Sequence, residues 1–554
     1  MTTPMTKPSP PAPVPSPREA AAWVTRLGRG VRGELRRSLL ALLFVAGCGG
    51  GGSGSGTAGT SGGGAGTSAA AGTSGSAGTS AAAGTTGASG TTGSAGTSGV
   101  AGASGGTAGG SASGGAGASG GAGTTGTGGT TAGTSGGGRG GSGGGGSGGG
   151  AAGGRGGGAG TASAGGSGGA AGAAGSGAHA ADAAFCVAQL ASAAMHYQGF
   201  RQAYPTATQI PRSVTTGGTV RQVATSDWTS GFPAGSYWLL YEATGDAAWR
   251  TAAEARTTAL ASQATHTDTH DVGFIINNSY GNGYRLTQTA AYRTVLNTAA
   301  QSLDGRFNAT VGATRSWDFG TWMFPVIIDN MMNLELLYRA TALGGAATFA
   351  QHATTHALTT RANHFRADAS SYHVVDYNPT TGAVIRKQTN QGLADESAWA
   401  RGQAWGLYGF TMCFRETQDA RFLDQALKIA EFYTTSPGVP ADGVPYFDFD
   451  APKRSDVIDY RDASAGAIAA SGLLELSRYA TGAASERYLG FALKAVRSLS
   501  ATGASGYRAA IGGNGHFLLM HSVGNYPQSD EIDVGINYAD YYYLEALLRC
   551  AALK

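Results

Sequence analysis

Three stretches of the chain set carboxylates among aromatic rings and amide or guanidinium groups. The first is Asp227-Trp228-Thr-Ser-Gly-Phe232, followed by His266-Thr-Asp268-Thr-His270-Asp271-Val-Gly-Phe274. The second is Val326-Ile-Ile-Asp329-Asn-Met-Met-Asn333. The third is Asp395-Glu-Ser-Ala-Trp399-Ala-Arg401-Gly-Gln403-Ala-Trp405-Gly-Leu-Tyr408, with Tyr460-Arg-Asp462-Ala-Ser464 and Tyr538-Ala-Asp540-Tyr-Tyr-Tyr543-Leu-Glu545 further on. Aromatic faces beside acids and bidentate donors suit a sugar, whose ring stacks on π-faces while its hydroxyls take polar partners. Asp329 lies among Ile327, Ile328 and Met331, and desolvation there raises a carboxyl pKa toward an acid/base value. The alternative for Asp329 is a helix cap, and Asp271 can likewise cap a helix that starts at Val272. His266, Asp268 and His270 invite a metal, but an i, i+4 histidine pair without a further ligand set is weak, so no metal is expected. Trp399 and Trp405 can line a site or fill a core, and core is the preferred reading for Tyr541 to Tyr543.

These residues sit in a repeated pattern: an apolar helix ending in an aromatic, a short Thr/Gly/Asp turn, then an Ala-rich amphipathic helix. Tyr237 to Asp246 leads into Trp249 to Ala264, and Leu334 to Ala340 into Ala347 to Thr359. Leu407 to Thr417 leads into Arg421 to Tyr433, and Leu473 to Thr481 into Glu486 to Leu499. Glycine after the first helix and an acid opening the second mark αα-hairpins. Strand alternation is nearly absent. Roughly 370 residues in units of about 60 make about six hairpins, and a closed ring of six leaves no end pair exposed. The expected fold is all-α, an (α/α)6 barrel whose inner-helix N-terminal loops line a cleft.

The rest of the chain divides cleanly. Residues 1–48 read as a lipoprotein-type signal region: six arginines between Arg18 and Arg37, the short apolar run Leu39 to Ala46, then Gly47-Cys48. Leu43-Phe-Val-Ala-Gly-Cys48 resembles a bacterial lipobox, which predicts lipidation of Cys48 and a lipid-anchored, periplasmic or surface-exposed place in the cell envelope. Residues 49–181 read as a disordered Gly/Ser/Thr/Ala-rich tether, since the 130 residues from Gly49 to Ala178 hold 60 of the 96 glycines and no aromatic. Residues 182–554 are the folded domain, carrying seven of the eight Trp and all 22 Tyr. Without a basic stripe, nucleic acid is excluded as a main partner, and no membrane span is expected after Cys48. Cys186, Cys413 and Cys550 allow one disulfide at most, and burial as small apolar groups is the expected fate of all three.

Taken in order, Thr269-His-Asp-Val-Gly-Phe274, Ile328-Asp329 with Asn333-Leu334, Ser371-Tyr-His373, Asn390-Gln391-Gly392, Trp399 to Phe410, Tyr460 to Ser464 and Tyr538 to Leu548 resemble the unsaturated glucuronyl hydrolases, glycoside hydrolase family 88. The resemblance runs from about Phe185 to the end. It implies the (α/α)6 barrel and removal of the 4,5-unsaturated uronic acid that polysaccharide lyases leave at a non-reducing end, by hydration of the C4=C5 bond. It implies Asp329 as general acid/base and Asp271 as the second essential carboxylate. His270, Trp317, His373, Gln391, Trp399, Arg401 and Trp405 match substrate-lining places, and Trp228 joins them from the first stretch. Asn390 stands where related enzymes can have His. An unsaturated rhamnogalacturonyl hydrolase acting on pectin fragments, or a non-catalytic glycan-binding surface lipoprotein, are the rival readings.

Overall fold

The computed structural model describes residues 177–554. The signal-type region, Cys48 and nearly all of the tether lie outside the described residues. Twelve α-helices and one π-helix make up the domain. The helices most relevant here are α1 (Ala180–Ala203), α2 (Gly231–Thr244), α3 (Ala247–Ala259), α4 (Asn282–Thr287), α5 (Ala290–Asp304), α6 (Asn330–Ala342), α7 (Ala347–Asn363), α8 (Ala400–Thr417), α9 (Ala420–Thr435), α10 (Ala463–Leu476), α11 (Ala483–Leu499) and α12 (Asn537–Ala551). The π-helix Gly273–Gly281 runs directly into α4.

An inner ring and an outer ring follow from composition. In α10 every residue is buried, and in α8 every residue from Ala400 to Cys413. Helices that are apolar all round belong inside. The inner helices α2, the π-helix, α6, α8, α10 and α12 touch in that order, and α12 closes back on α2. The helices α3, α5, α7, α9 and α11, each buried along one face, cover them. The turns use the chemistry read from the sequence: Gly245 ends α2 in the left-handed region at φ 67°, Asp246 caps α3 through the Ala248 N–H, and Asp419 caps α9 through the Arg421 N–H.

The sixth pair joins the ends of the domain, with α1 packed on α12. This corrects the expectation for the cysteines. Cys186 of α1 and Cys550 of α12 form a disulfide across a Cα–Cα distance of 6.0 Å, while Cys413 stays free and buried. The pairing is invisible in a sequence separation of 364, because only the closure of the ring brings the two helices together. A cross-link over so long a loop stabilises by about 2–4 kcal/mol, at the one seam that chain connectivity does not hold.

The near absence of strands needs a second correction. Strands β1 (Ile210–Val214), β2 (Val220–Val223), β3 (Phe307–Asn308), β4 (Ala313–Thr314), β5 (Pro325–Ile327), β6 (Val374–Tyr377), β7 (Val384–Gln388) and β8 (Gly535–Ile536) form three small antiparallel sheets in the orders β2-β1-β8, β3-β4 and β5-β6-β7. At two to five residues each they are too short for a period of two to register. They matter because β5 delivers the chain to the start of α6 and β8 to the start of α12. Among the described residues no helix is long and apolar enough to cross a membrane.

Candidate active site

The residues singled out in the sequence gather at the N-terminal ends of the inner helices. Asp271 precedes the π-helix, Asp329 precedes α6, Trp399 precedes α8, and Trp228 lies just before α2. Two contacts set the spacing of the carboxylates. The Phe274 N–H donates to Asn333 Oδ1 at 2.7 Å, tying the turn after Asp271 to the first turn of α6. A Cβ on Gly273 would stand 2.5 Å from that same oxygen, so only glycine permits this approach.

Asp329 is not a cap. Its backbone is already helical at φ −60°, ψ −27°, and its side chain accepts no hydrogen bond from the helix. Oδ1 is buried without a partner, and the side chain is 9% exposed. Burial pushes its pKa up to about 7, against the pull of Arg401, and the charge of Asp271 adds to the rise. The indole of Trp405, whose N–H has no hydrogen-bond partner in the fold, works in the opposite direction. This carboxyl therefore holds a proton near neutrality and can give it up, a poise that desolvation produces and a solvated acid lacks.

Asp271 lives in a different setting. Its side chain is 18% exposed, and Oδ2 accepts from Thr269 Oγ1 at 2.9 Å. Beside it, His270 Nδ1 lies 2.9 Å from the Ser316 carbonyl, which makes Nδ1 the protonated nitrogen. Burial lowers the pKa of His270, opposed by Asp271. The neutral ring then turns the Nε2 lone pair toward Asp271 Oδ1, 3.3 Å away. Two acceptors at that distance make a receptor for a hydroxyl.

His373 is the complementary case. Its Nδ1 accepts the backbone N–H groups of Asn390 at 3.2 Å and Gln391 at 3.3 Å, so the proton resides on Nε2. Burial, and next the charge of Arg401, holds its pKa well below the ordinary histidine value. Nε2 lies 3.9 Å from Asp329 Oδ1 and has no partner of its own. The register of β5 on β6 brings the two together, since Ile328 N–H donates to the His373 carbonyl at 3.1 Å. His373 also stacks on Trp399 at 4.3 Å between ring centroids.

The remaining residues divide between site and frame. Arg401 is almost wholly buried over the Trp399 ring and donates to Asp462, to the Val523 carbonyl and, at 2.6 Å, to the Gly524 carbonyl. Gln391 Nε2 donates to the same Gly524 carbonyl at 3.1 Å. Together they fix the 523–526 segment, and Arg401 acts on Asp329 through its field. Asp462 also caps α10 through the N–H groups of Ser464 and Ala465. Trp405 packs between Phe274 and Tyr542, and half-buried Trp228 lies among Phe232, Phe274 and Tyr538. Trp317 is joined to Thr269 by a backbone bridge, which sets it in the wall beside Asp271. His266 pairs with the exposed Asp268, and among the described residues no three His, Cys, Asp or Glu side chains form a metal-binding group. Tyr541 to Tyr543 are core, with Asn282 donating to the Tyr541 hydroxyl and Tyr543 bonded to Ser500.

Two features of the site escaped the sequence. Arg212, from the central strand β1, bonds both Asp227 and Glu531 and lies over the Trp228 ring, which links that sheet to the 523–533 loop. Phe319 stands exposed beside Trp317. Arg212 lies outside the stretches where acids and aromatics are dense, whereas Phe319 lies within one, Trp317-Asp-Phe-Gly-Thr-Trp322, where only the fold decides which ring is exposed.

No family model matches the chain. The chain is 43% identical to an unsaturated glucuronyl hydrolase of Formosa agariphila over 351 residues, 62% of this chain and 86% of that protein. An unsaturated glucuronyl hydrolase of Bacillus sp. (strain GL1) is 35% identical over 335 residues, covering 58% and 86%. Among solved structures, an unsaturated glucuronyl hydrolase specific for heparin superimposes with a TM-score of 0.64 at 46% identity, over 66% of this chain and 97% of that one.

Proposed function

The chain belongs to the unsaturated glucuronyl hydrolases, and from that premise we propose that Asp329 and Asp271 carry out hydration of the C4=C5 bond of an unsaturated uronic acid at the non-reducing end of a lyase-generated oligosaccharide. The chain is a glycoside hydrolase, and the observation that carries the assignment of roles is the unlike environment of its two carboxyls. One is buried and protonated near neutrality, the other half-buried beside a lone-pair receptor. A buried carboxyl that keeps its proton suits an acid, and a second carboxyl beside it suits a stabilising charge.

The substrate's C4=C5 bond is an enol ether. Asp329 gives its proton to C4, and the cation left at C5 is shared with the ring oxygen. Asp329, now a carboxylate, takes a proton from a water as that water bonds to C5. The C5 hemiketal opens by breaking its bond to the ring oxygen, which leaves C1 a hemiacetal that expels the aglycone. Asp271 raises the pKa of the donor beforehand and faces the cationic centre afterwards. The acceptor pair of His270 Nε2 and Asp271 Oδ1 suits a sugar hydroxyl, while His373 Nε2–H supplies a donor beside Asp329 Oδ1. Because one carboxyl serves as both acid and base, carboxylate separation carries no anomeric prediction here. No cofactor enters the scheme.

A panel of lyase-generated unsaturated disaccharides, sulfated and unsulfated, tests the activity through loss of the conjugated ultraviolet absorbance. Turnover of at least one is expected. A folded protein inert on all of them would reject the reading.

We also propose that the enzyme acts outside the cytoplasm, tethered through Cys48. The Cys186–Cys550 disulfide supports this, since such bonds persist in oxidising compartments. Cys48→Ser should leave the precursor unlipidated and shift it out of the membrane fraction. Unchanged fractionation and unchanged mobility would defeat the idea.

A further inference from the structure

Segment 316–319 ties the turn that carries Asp271 to the strand that leads to Asp329. The Ser316 carbonyl accepts the His270 N–H as well as its ring, Ser316 N–H donates to the Pro325 carbonyl, and Ser316 Oγ accepts from Ile327 N–H on the strand that leads to Asp329. Trp317 follows, but its ring is not open to a ligand. It is 7% exposed, packed on Ile327 and Val374, with the edge of Trp322 against it at 5.4 Å and the ring of Phe319 laid parallel over it at 4.9 Å and 13°. Phe319 itself is 61% exposed.

An aromatic ring left in water at the lip of a sugar cleft has a use, and the turn is built to hold it there. Asp318, between the two rings, is gripped by Arg306 at 2.9 Å and Arg315 at 3.0 Å. Gly320 takes φ +80°, and a Cβ there would strike the Trp322 ring at 2.5 Å. Trp322 is fixed in turn by its indole N–H, which donates to Gln388 Oε1 at 3.0 Å. Phe319 therefore lies on a rigid pedestal, with one face on Trp317 and the other turned to solvent.

Resting on the activity proposed above, we propose that Phe319, and not Trp317, is the platform for the first aglycone sugar. With C4 and C5 of the uronic acid at Asp271 and Asp329, this assignment seats the sugar joined through C1 over Trp317–Phe319, the segment bridged to Thr269 and packed on Ile327. Trp317 acts as a positioning residue beneath the platform. Pyranose C–H faces meet aromatic faces readily, and a ring already braced loses little freedom on binding.

The test compares wild type, Phe319→Ala and Phe319→Tyr on two substrates. One is an unsaturated uronyl disaccharide, and the other is the methyl glycoside of the same unsaturated uronic acid, which has no aglycone ring. Phe319→Ala should raise KM for the disaccharide about fivefold to tenfold with kcat within twofold, which is the size of one stacking contact. Kinetics on the methyl glycoside should not move, and Phe319→Tyr should restore the disaccharide KM. An equal change on both substrates, an unmoved disaccharide KM, or faster turnover in Phe319→Ala would overturn the platform. Wild-type enzyme inert on both substrates would instead remove the activity, and the platform with it.

Discussion

Asp329→Asn should lose about two to four orders of magnitude in kcat while its KM stays close to that of wild type. Asparagine keeps the shape, yet it can neither give an acidic proton to C4 nor take one from water. The same variant should be more thermostable than wild type at neutral pH. A carboxyl whose pKa is about 7 when folded, against 3.8 in its ordinary setting, contributes stability that is complete below about 4 and lost as pH rises through about 7. Removing the charge abolishes that loss, so the gain in stability should be absent at pH 4 and grow toward pH 7, on the order of 2–4 kcal/mol at its fullest, with the melting temperature rising in parallel. A residue whose role was to cap α6 would give the opposite pattern: near-normal turnover and a small destabilisation independent of pH. Measuring kcat and melting temperature between pH 4 and 8 separates the two. Turnover within tenfold of wild type in a folded variant would move the acid/base role away from Asp329.

The barrel was legible because its evidence is local and repeated. Each hairpin carries its own apolar helix, its turn residues and its amphipathic cover, and Asp246 and Asp419 cap helices as read. What the sequence hid is what exists only after the ring closes. Cys186 meets Cys550, and Arg401 finds the carbonyls of Val523 and Gly524 more than a hundred residues away. Nine residues from Gly273 to Gly281 form a π-helix where a helix of ordinary pitch fits the pattern equally well. The site residues were legible as types and as a family resemblance, but their division of labour was not. Trp317 is an aromatic in the right place by sequence, and only the stacking of Phe319 shows that its face is covered. Asp329 had a catalytic and a capping reading until its backbone angles and its unpartnered oxygen told against the cap.

Asp271→Asn should lower kcat by about two to three orders of magnitude and, unlike the change at Asp329, leave a titrating donor behind whose pKa reports on the loss. In wild type, the protonated form of Asp329 is required, so kcat should fall as pH rises through about 7. Asp271 contributes to that value by placing a like charge nearby, which makes ionisation of Asp329 less favourable. Without that charge, Asp329 ionises more easily and the falling limb should move to lower pH. Desolvation is the larger cause of the raised pKa and is untouched by the substitution, so the limb should stay well above the ordinary carboxylate range. Asparagine at 271 can still accept from Thr269 Oγ1, the bond that Asp271 makes now, so the loop need not rearrange. If Asp271 served only to hold that loop, kcat would stay within a few-fold of wild type and the limb would not shift. A fall in kcat with a stationary limb would place Asp271 at the cationic centre alone, and a shift with intact kcat would make it a tuning charge alone. Both effects together are what a single carboxylate facing Asp329 and C5 must produce.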